Sequence, residues 1–137
     1  GDIDYSSNSG TSWSDANNVD TVNSLYGCAY GNSTYIAVGV SGTTVKVSTN
    51  PEDWDGGVSN RTTKNLYSVT YKSSGTFVAV GSRIVLKTTD SGVNWVTQYT
   101  SLTFNDIVYG NSLYVAVGPN EKIYTSSNLT TWTKVHP

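Results

Sequence analysis

Few side chains in this 137-residue sequence combine a reactive type with a useful spacing. The two arginines, Arg61 and Arg83, and the nearby Lys64 belong to one structural unit and its preceding loop, so they can converge on an anionic group. Asn120 and Glu121 are predicted to lie in a loop on the same face of the molecule. These five residues form a predicted ligand-binding loop face, with ordinary solubilising charges as the alternative interpretation.

Catalytic arrangements cannot be assembled from the remaining candidates. His136 is the only histidine and the penultimate residue, so a zinc site or a Ser–His–Asp triad lacks the side chains it needs. The single cysteine, Cys28, cannot form a disulfide within the chain and is predicted to be a buried structural thiol. We therefore predict a protein that is not an enzyme and that uses no metal or cofactor.

The composition argues against several classes of partner. Charged residues make up 13% of the chain and the net charge is −2, which gives no electrostatic reason to bind nucleic acid. No apolar run approaches the roughly 20 residues of a membrane-spanning helix. A surface with few charges and many hydroxyl and amide groups is common in secreted β proteins. We therefore expect an extracellular, cell-surface or virion-surface location.

Four tryptophans, Trp13, Trp54, Trp95 and Trp132, recur at intervals of 41, 41 and 37 residues. This spacing is close to the roughly 40-residue, four-stranded unit of a β-propeller blade. The pattern predicts strands whose burial falls from the first, at the propeller axis, to the fourth, at the rim. In the first complete unit, the predicted strands are Leu25–Tyr30, Tyr35–Val38, Thr43–Ser48 and one that starts at Trp54.

We therefore predict an all-β chain with about three and a half four-stranded, antiparallel propeller blades. Residues 1–22 supply only the third and fourth strands of a partial blade. The predicted complete blades are 23–60, 61–100 and 101–137. A β-trefoil, which also has three units of roughly forty residues, is the alternative fold.

The turn before each tryptophan carries a pattern of its own, which is most complete between Thr88 and Trp95. The hydroxyl of Thr88 and the carboxylate of Asp90 can bond to nearby backbone N–H groups, while Gly92 tolerates a positive φ. The indole of Trp95 can then cover the end of the apolar layer. These residues are therefore predicted to be structural.

The pattern Ser/Thr-x-Asp-x-Gly-x-x-Trp resembles the Asp-box of the BNR, sialidase-type repeat. The Tyr-x-Ala-Val-Gly strand before it resembles the blades of Asp-box propellers, including photosystem assembly-factor-like proteins and bacterial and phage surface modules. The matching positions are Ser6, Asn8, Gly10 and Trp13, then Ser48, Asn50 and Trp54, then Thr88, Asp90, Gly92 and Trp95, and finally Ser126, Asn128 and Trp132. Three boxes have asparagine for aspartate, and two of these are one residue shorter and lack the glycine.

The residues and the resemblance together leave three functional hypotheses. The first is a non-catalytic propeller module that acts in protein interaction or in the structural assembly of a secreted, cell-surface or virion particle. The second is a carbohydrate-binding lectin that uses the loop face. Tyr26 and Tyr67 could also stack on a sugar, but packing at the blade edge is the favoured interpretation of these two residues. The third is an incomplete sialidase-like glycosidase, which would have to obtain its arginine cluster from another chain because Arg61 and Arg83 are the only arginines.

The number of blades bears on the expected partners. Known propellers close with about four to eight blades, so three and a half should not form a ring alone. We expect a second copy of the chain, or another polypeptide, to complete the ring, and a glycan is a further possible ligand. The sequence contains no methionine, which indicates a processed chain or part of a longer protein.

Overall fold

The computed structural model describes residues 1–19, 21–47, 49–54 and 58–135, with backbone only at 45–47 and 58–60. Ser48 of the second predicted box and the terminal His136 lie outside the described residues. Within the described part, the chain folds into one two-stranded and three four-stranded antiparallel sheets. In every sheet, strands that are neighbours in space are also neighbours in sequence.

The two-stranded sheet, which we call the half-blade, pairs β1 (Asp4–Tyr5) with β2 (Ser14–Asp15). The first blade contains β3 (Leu25–Gly31), β4 (Thr34–Gly39), β5 (Thr43–Val47) and β6 (Val58–Asn60). The second blade contains β7 (Leu66–Ser73), β8 (Thr76–Gly81), β9 (Ile84–Thr88) and β10 (Val96–Tyr99). The third blade contains β11 (Asp106–Gly110), β12 (Leu113–Gly118), β13 (Lys122–Ser126) and β14 (Thr133–Val135).

This arrangement is a partial β-propeller, as the repeat predicts, and the β-trefoil alternative is wrong. One strand boundary differs from the prediction, because the fourth strand of the first blade starts at Val58 rather than at Trp54. The backbone at 52–54 instead pairs with Asn17, in the segment that follows β2. The N–H of Trp54 donates to the carbonyl of Asn17 at 3.0 Å, and the N–H of Asn17 donates to the carbonyl of Glu52 at 2.7 Å.

The hydrophobic core consists of layers between successive blades. In one layer, Ile36 and Val38 of β4 pack against the second blade. The second-blade residues of this layer are Leu66, Val69, Phe77, Ala79, Ile84, Leu86 and Trp95. In the next layer, Val78, Val80 and Val85 pack against third-blade residues that include Phe104, Ile107, Tyr114, Ala116 and Leu129. Each complete blade therefore has a front face, towards the preceding sheet, and a back face on the opposite side.

The predicted decrease in burial from the first strand to the fourth is wrong for the first strand. The second strands β4 and β8 are the most deeply buried, whereas alternate residues of β3 are exposed. The inner strands β3, β7 and β11 are each the edge strand of a sheet and pair on one side only. A second strand is paired on both sides, and β8 also has a neighbouring blade on each of its faces, which explains its greater burial.

The glycine that ends the second strand in the first two blades lets the start of the first strand of the same blade lie close to it. A Cβ atom at Gly39 would lie 2.0 Å from the carbonyl oxygen of Ser24, and one at Gly81 would lie 1.9 Å from that of Asn65. Each of these carbonyls accepts a hydrogen bond at 2.9 Å from the residue after the glycine, Val40 or Ser82. The contact therefore ties the loop after each second strand to the start of the first strand in the same blade.

Candidate functional site

The structure brings two residues of the predicted loop face into contact. The ammonium of Lys64 donates to the carbonyl oxygen of Arg83 at 3.2 Å, and the backbone N–H of Arg83 donates to the Thr103 hydroxyl at 3.2 Å. Lys64 is half-buried and Arg83 is exposed. Because the Lys64 ammonium already binds a carbonyl, it offers an incoming anion fewer free donors.

The other three loop-face residues lie on connections at the same end of the blades. Arg61 is exposed in the segment between β6 and β7. Asn120 and Glu121 form the exposed turn between β12 and β13, with φ values of 59° and 58°. Backbone geometry alone accounts for a turn at this position. The ligand-binding role of the five residues therefore remains a prediction.

The turn before Trp95 is held together by its own side chains. The carboxylate of Asp90 accepts hydrogen bonds from the Thr88 hydroxyl at 2.6 Å, the Asn94 backbone N–H at 2.9 Å and the Asn94 side-chain amide at 2.8 Å. These bonds, with the backbone N–H of Asn94 contributing most, lower the pKa of Asp90 from 3.8 to about 2. The indole of Trp95 donates to the Gly92 carbonyl at 3.1 Å, which completes the turn.

The turn before Trp132 keeps these bonds although it is one residue shorter. The N–H of Leu129 donates to the Ser126 hydroxyl at 2.8 Å, and the Trp132 indole donates to the Leu129 carbonyl at 3.0 Å. Leu129 takes the place of Gly92 and has a φ of 68°, which is unusual for a large side chain. Its side chain is buried in the layer between the second and third blades, and this burial favours the strained conformation.

The first two boxes follow the same scheme within the described residues. The Asn8 side-chain carbonyl accepts from the Ser12 N–H at 2.9 Å, and the Gly10 N–H donates to the Ser6 hydroxyl at 2.8 Å. In the second box, the Asn50 side chain accepts from the Glu52 N–H at 2.9 Å, and the Trp54 indole donates to the Pro51 carbonyl at 2.9 Å. In all three turns that have asparagine in place of aspartate, its side-chain carbonyl therefore accepts a backbone N–H of the same turn.

A cleft of about 630 Å³ lies between the half-blade and the first blade, beside the cluster in which Ile3 packs near Ala37 and Trp54. Its walls are largely aromatic and aliphatic. They include Ile3, Tyr5 and Trp13 from the half-blade, and Leu25, Tyr26, Cys28, Tyr30, Tyr35, Ala37 and Trp54 from the first blade. The sequence analysis missed this cleft as a site. The signal for it was the finding that residues 1–22 supply only the outer two strands of a blade.

The prediction that Cys28 is buried is wrong, because Cys28 is exposed in the cleft. Its counterparts in the next two blades, Val69 and Ile107, are only 6% and 5% exposed. Those two residues are covered by the first and second strands of the preceding blade. The half-blade has no such strands within the described residues, so Cys28 remains uncovered.

The aromatic side chains around the cleft are exposed for the same reason. Trp13 is 63% exposed, whereas its counterpart Trp95 is 8% exposed. Tyr30 is 57% exposed, although its counterparts Tyr71 and Tyr109 are partly buried against the core layers. This concentration of solvent-exposed aromatic rings is typical of a binding surface.

The back face of the third blade is a second open apolar surface. Its valine positions match Val78 and Val80 of the second blade, which are fully buried. The exposed apolar residues of the third blade are Val108, Leu113, Val117, Ile123 and Val135. Both ends of the described blade array therefore expose surfaces that are buried between the blades inside it.

The inner strands form polar and aromatic contacts from blade to blade. The rings of Tyr26 and Tyr67 lie 6.0 Å apart, so these two tyrosines of neighbouring blades pack on each other. The Lys72 ammonium lies 5.1 Å from the centre of the Tyr109 ring. Burial, followed by the neighbouring Tyr109, raises the pKa of the Tyr114 hydroxyl. These contacts stabilise the inner surface without assembling a reactive group.

Within 1–19, 21–47, 49–54 and 58–135, no three histidine, cysteine, aspartate or glutamate side chains cluster in a way that could hold a metal ion. In the same part of the chain, no helix has the length and apolar character needed to cross a membrane.

No protein-family model matches the sequence, and no curated protein matches it significantly. Solved structures give a clearer result. The fold is similar to that of YCF48. A structure of YCF48 bound to D1 peptide superposes with a TM-score of 0.71 and 19% sequence identity, over 84% of this chain and 42% of the YCF48 chain. YCF48 from Cyanidioschyzon merolae gives a TM-score of 0.70 and 18% identity, over 85% of this chain and 38% of the other.

The likeness to YCF48 concerns the fold, because sequence identity is below one fifth. It agrees with a partial β-propeller of several blades. The chain spans less than half the length of either YCF48 chain.

Proposed function

We propose that this chain is a non-catalytic propeller module that binds protein partners during the assembly of a larger structure. The observation that carries the proposal is the aromatic cleft between the half-blade and the first blade. Tyrosine and tryptophan are enriched at protein interfaces and supply much of their binding energy. Here Trp13, Tyr26 and Tyr30 are each more than half exposed at one cleft.

The open edge of the half-blade supports the same proposal. Within the described residues, β1 pairs with β2 alone, so its inner edge has no strand beside it. An extended peptide can add to such an edge through backbone hydrogen bonds, while its side chains enter the adjacent cleft. YCF48, a protein of similar fold, has been solved bound to a D1 peptide, which is consistent with peptide binding by this kind of scaffold.

Selection from a phage-displayed peptide library tests this function. We expect peptides rich in alternating apolar residues to bind the chain saturably and to lose affinity for the Trp13→Ser and Tyr30→Ser variants. Val96→Ser is the matched control, because Val96 is exposed at the rim of the second blade and away from the cleft. The proposal is wrong if no selected peptide binds, or if all three variants bind like the parent.

A carbohydrate-binding lectin is the second candidate function. The observation that favours it is the Tyr26–Tyr67 pair, in which Tyr26 remains 52% exposed at the inner strands. An exposed tyrosine ring can stack on a sugar. A glycan array separates the two functions, since saturable sugar binding that is lost in Tyr26→Ala would favour the lectin.

Two finer assignments belong to the proposal. The local bonds of Thr88, Asp90 and Trp95 support a relationship to Asp-box repeats. The low charge fraction supports a secreted, cell-surface or virion-surface location. Fractionation of the source cells, with detection of the chain outside the cytoplasm, would test the location.

A further inference from the structure

The first blade forms one wall of the cleft with its front face. The front faces of the second and third blades have the same features, but both are covered by the preceding blade. Each front face carries an aromatic pair that joins the first strand to the second. The ring centres lie 4.5 Å apart in Tyr30–Tyr35, 5.0 Å in Tyr71–Phe77 and 4.7 Å in Tyr109–Tyr114. The second-strand alanine also recurs, as Ala37, Ala79 and Ala116. The first blade therefore presents a complete front face at the cleft.

The occupant of the two internal interfaces is known from the structure. Against the second blade, the place is taken by the back face of β3 and β4, with Ile36 and Val38 fully buried and Ala29 partly buried. Against the third blade, it is taken by Val78 and Val80 of β8, which are also fully buried. In both cases the occupant is an antiparallel pair of strands with β-branched residues at alternate positions.

The half-blade provides the second half of the same binding site. In the second blade, β9 pairs with β8, so that Val78 is opposite Lys87 and Val80 is opposite Val85. When Ser6 is aligned with its counterpart Thr88, Tyr5 is equivalent to Lys87 and Ile3 is equivalent to Val85. Since β1 pairs only with β2 in the described part of the chain, its inner edge can accept a strand in this register.

From this repeated geometry we infer that the cleft binds a β-hairpin of the repeat's own type, supplied by a segment other than the described strands. The hairpin adds its second strand to the inner edge of β1 and packs two β-branched side chains against Cys28, Tyr30 and Tyr35, which line the cleft. This inference rests on the proposed function, because it names the kind of partner that the same cleft binds. Binding converts the half-blade into a four-stranded blade.

Cys28 reports directly on this binding, because it is the only cysteine and it is exposed in the cleft. The probe is a synthetic peptide that copies residues 65–82, which contain β7 and β8. The matched control peptide carries Val78→Asp and Val80→Asp, since these changes place charges on the face that would be buried. The measurement is the rate at which the intact chain reacts with an aromatic disulfide reagent at increasing peptide concentration.

We expect the parent peptide to slow the Cys28 reaction saturably, by roughly tenfold or more, because a thiol reacts according to its exposure. The control peptide should leave the rate unchanged. The inference is overturned if the parent peptide gives no protection, or if the two peptides protect equally. It is also overturned if Cys28 is already protected in a dimer of the chain, since a second copy would then be the occupant.

Competition separates this inference from the proposed function. Library-selected peptides that bind the cleft while the hairpin does not would leave the proposed function intact and overturn the hairpin. Binding of the hairpin, with displacement of the selected peptides, would support both.

Discussion

The filled interface in front of the second blade and the open cleft in front of the first blade have similar residues, but two equivalent positions on the first strand differ in exposure. Val69 is buried in the former, whereas its counterpart Cys28 is exposed in the latter. Tyr71 is partly buried and its counterpart Tyr30 is mostly exposed. The difference arises from the preceding sheet, which has four strands in one case and two in the other. Burial in this molecule therefore depends on the neighbouring blade as well as on the repeat position.

The strongest test of this comparison places the same charge on both front faces. Val69→Asp buries a carboxylate without a partner and should lower the free energy of unfolding by about 3–5 kcal/mol. Cys28→Asp puts the carboxylate into solvent and should change it by less than about 0.5 kcal/mol. Urea denaturation of the two variants measures both values. Equal destabilisation would show that the cleft is not open.

A second comparison uses the back faces of the second and third blades. Val80 is fully buried, so Val80→Ala should cost about 1–3 kcal/mol of stability. Val117, its counterpart in the third blade, is 41% exposed, and Val117→Ala should cost less than about 1 kcal/mol. Thermal unfolding of the two variants measures both losses of stability. A larger loss for Val117→Ala would mean that another surface covers the third blade.

The box turns offer a third comparison, of smaller size. Thr88 is buried, and its hydroxyl accepts from the Gly92 N–H, so Thr88→Ala should cost about 1–3 kcal/mol. Ser6 makes the equivalent bond to the Gly10 N–H in the exposed half-blade turn, and Ser6→Ala should cost no more than about 1 kcal/mol. Urea titration measures the unfolding free energy of both variants. A larger loss for Ser6→Ala than for Thr88→Ala would refute this account.

The smallest expected effect is a pH dependence that comes from Asp90. Its pKa is about 2 in the folded protein against an ordinary value of 3.8, so folding stabilises the charged form. This contribution is complete above about pH 4 and is lost as the pH falls through about 2. In Asp90→Asn, the plot of unfolding free energy against pH should be flatter in this window. An unchanged slope would show that the Asp90 bonds do not stabilise the fold.

Much of the architecture could be predicted from the spacing of the tryptophans. The indoles of Trp54, Trp95 and Trp132 each close a turn through their own N–H, so a regular interval between tryptophans indicates a regular blade. The start of the fourth strand in the first blade was not predictable, because Trp54 bonds to Asn17, which is far away in sequence. The positive φ of Leu129 was also not predictable, since leucine rarely adopts that conformation.

The functional site was harder to predict than the fold. Lys64 and Arg83 do come together, but no observation tests ligand binding by the predicted loop face. The cleft escaped prediction because its residues look like core positions when each repeat is compared with the others. The burial of Cys28 was predicted from its counterparts Val69 and Ile107. That comparison took no account of the two strands that cover those counterparts and that the half-blade lacks.

The most direct test of an open cleft is the reactivity of two thiols at equivalent positions. One protein is the parent chain with Cys28, and the other carries Val69→Cys in a Cys28→Ser background. An aromatic disulfide reagent should modify Cys28 at the rate of an exposed thiol, and should modify the thiol at position 69 at least roughly tenfold more slowly. Similar slow rates for both would contradict the account, because the cleft would then be covered like the filled interface.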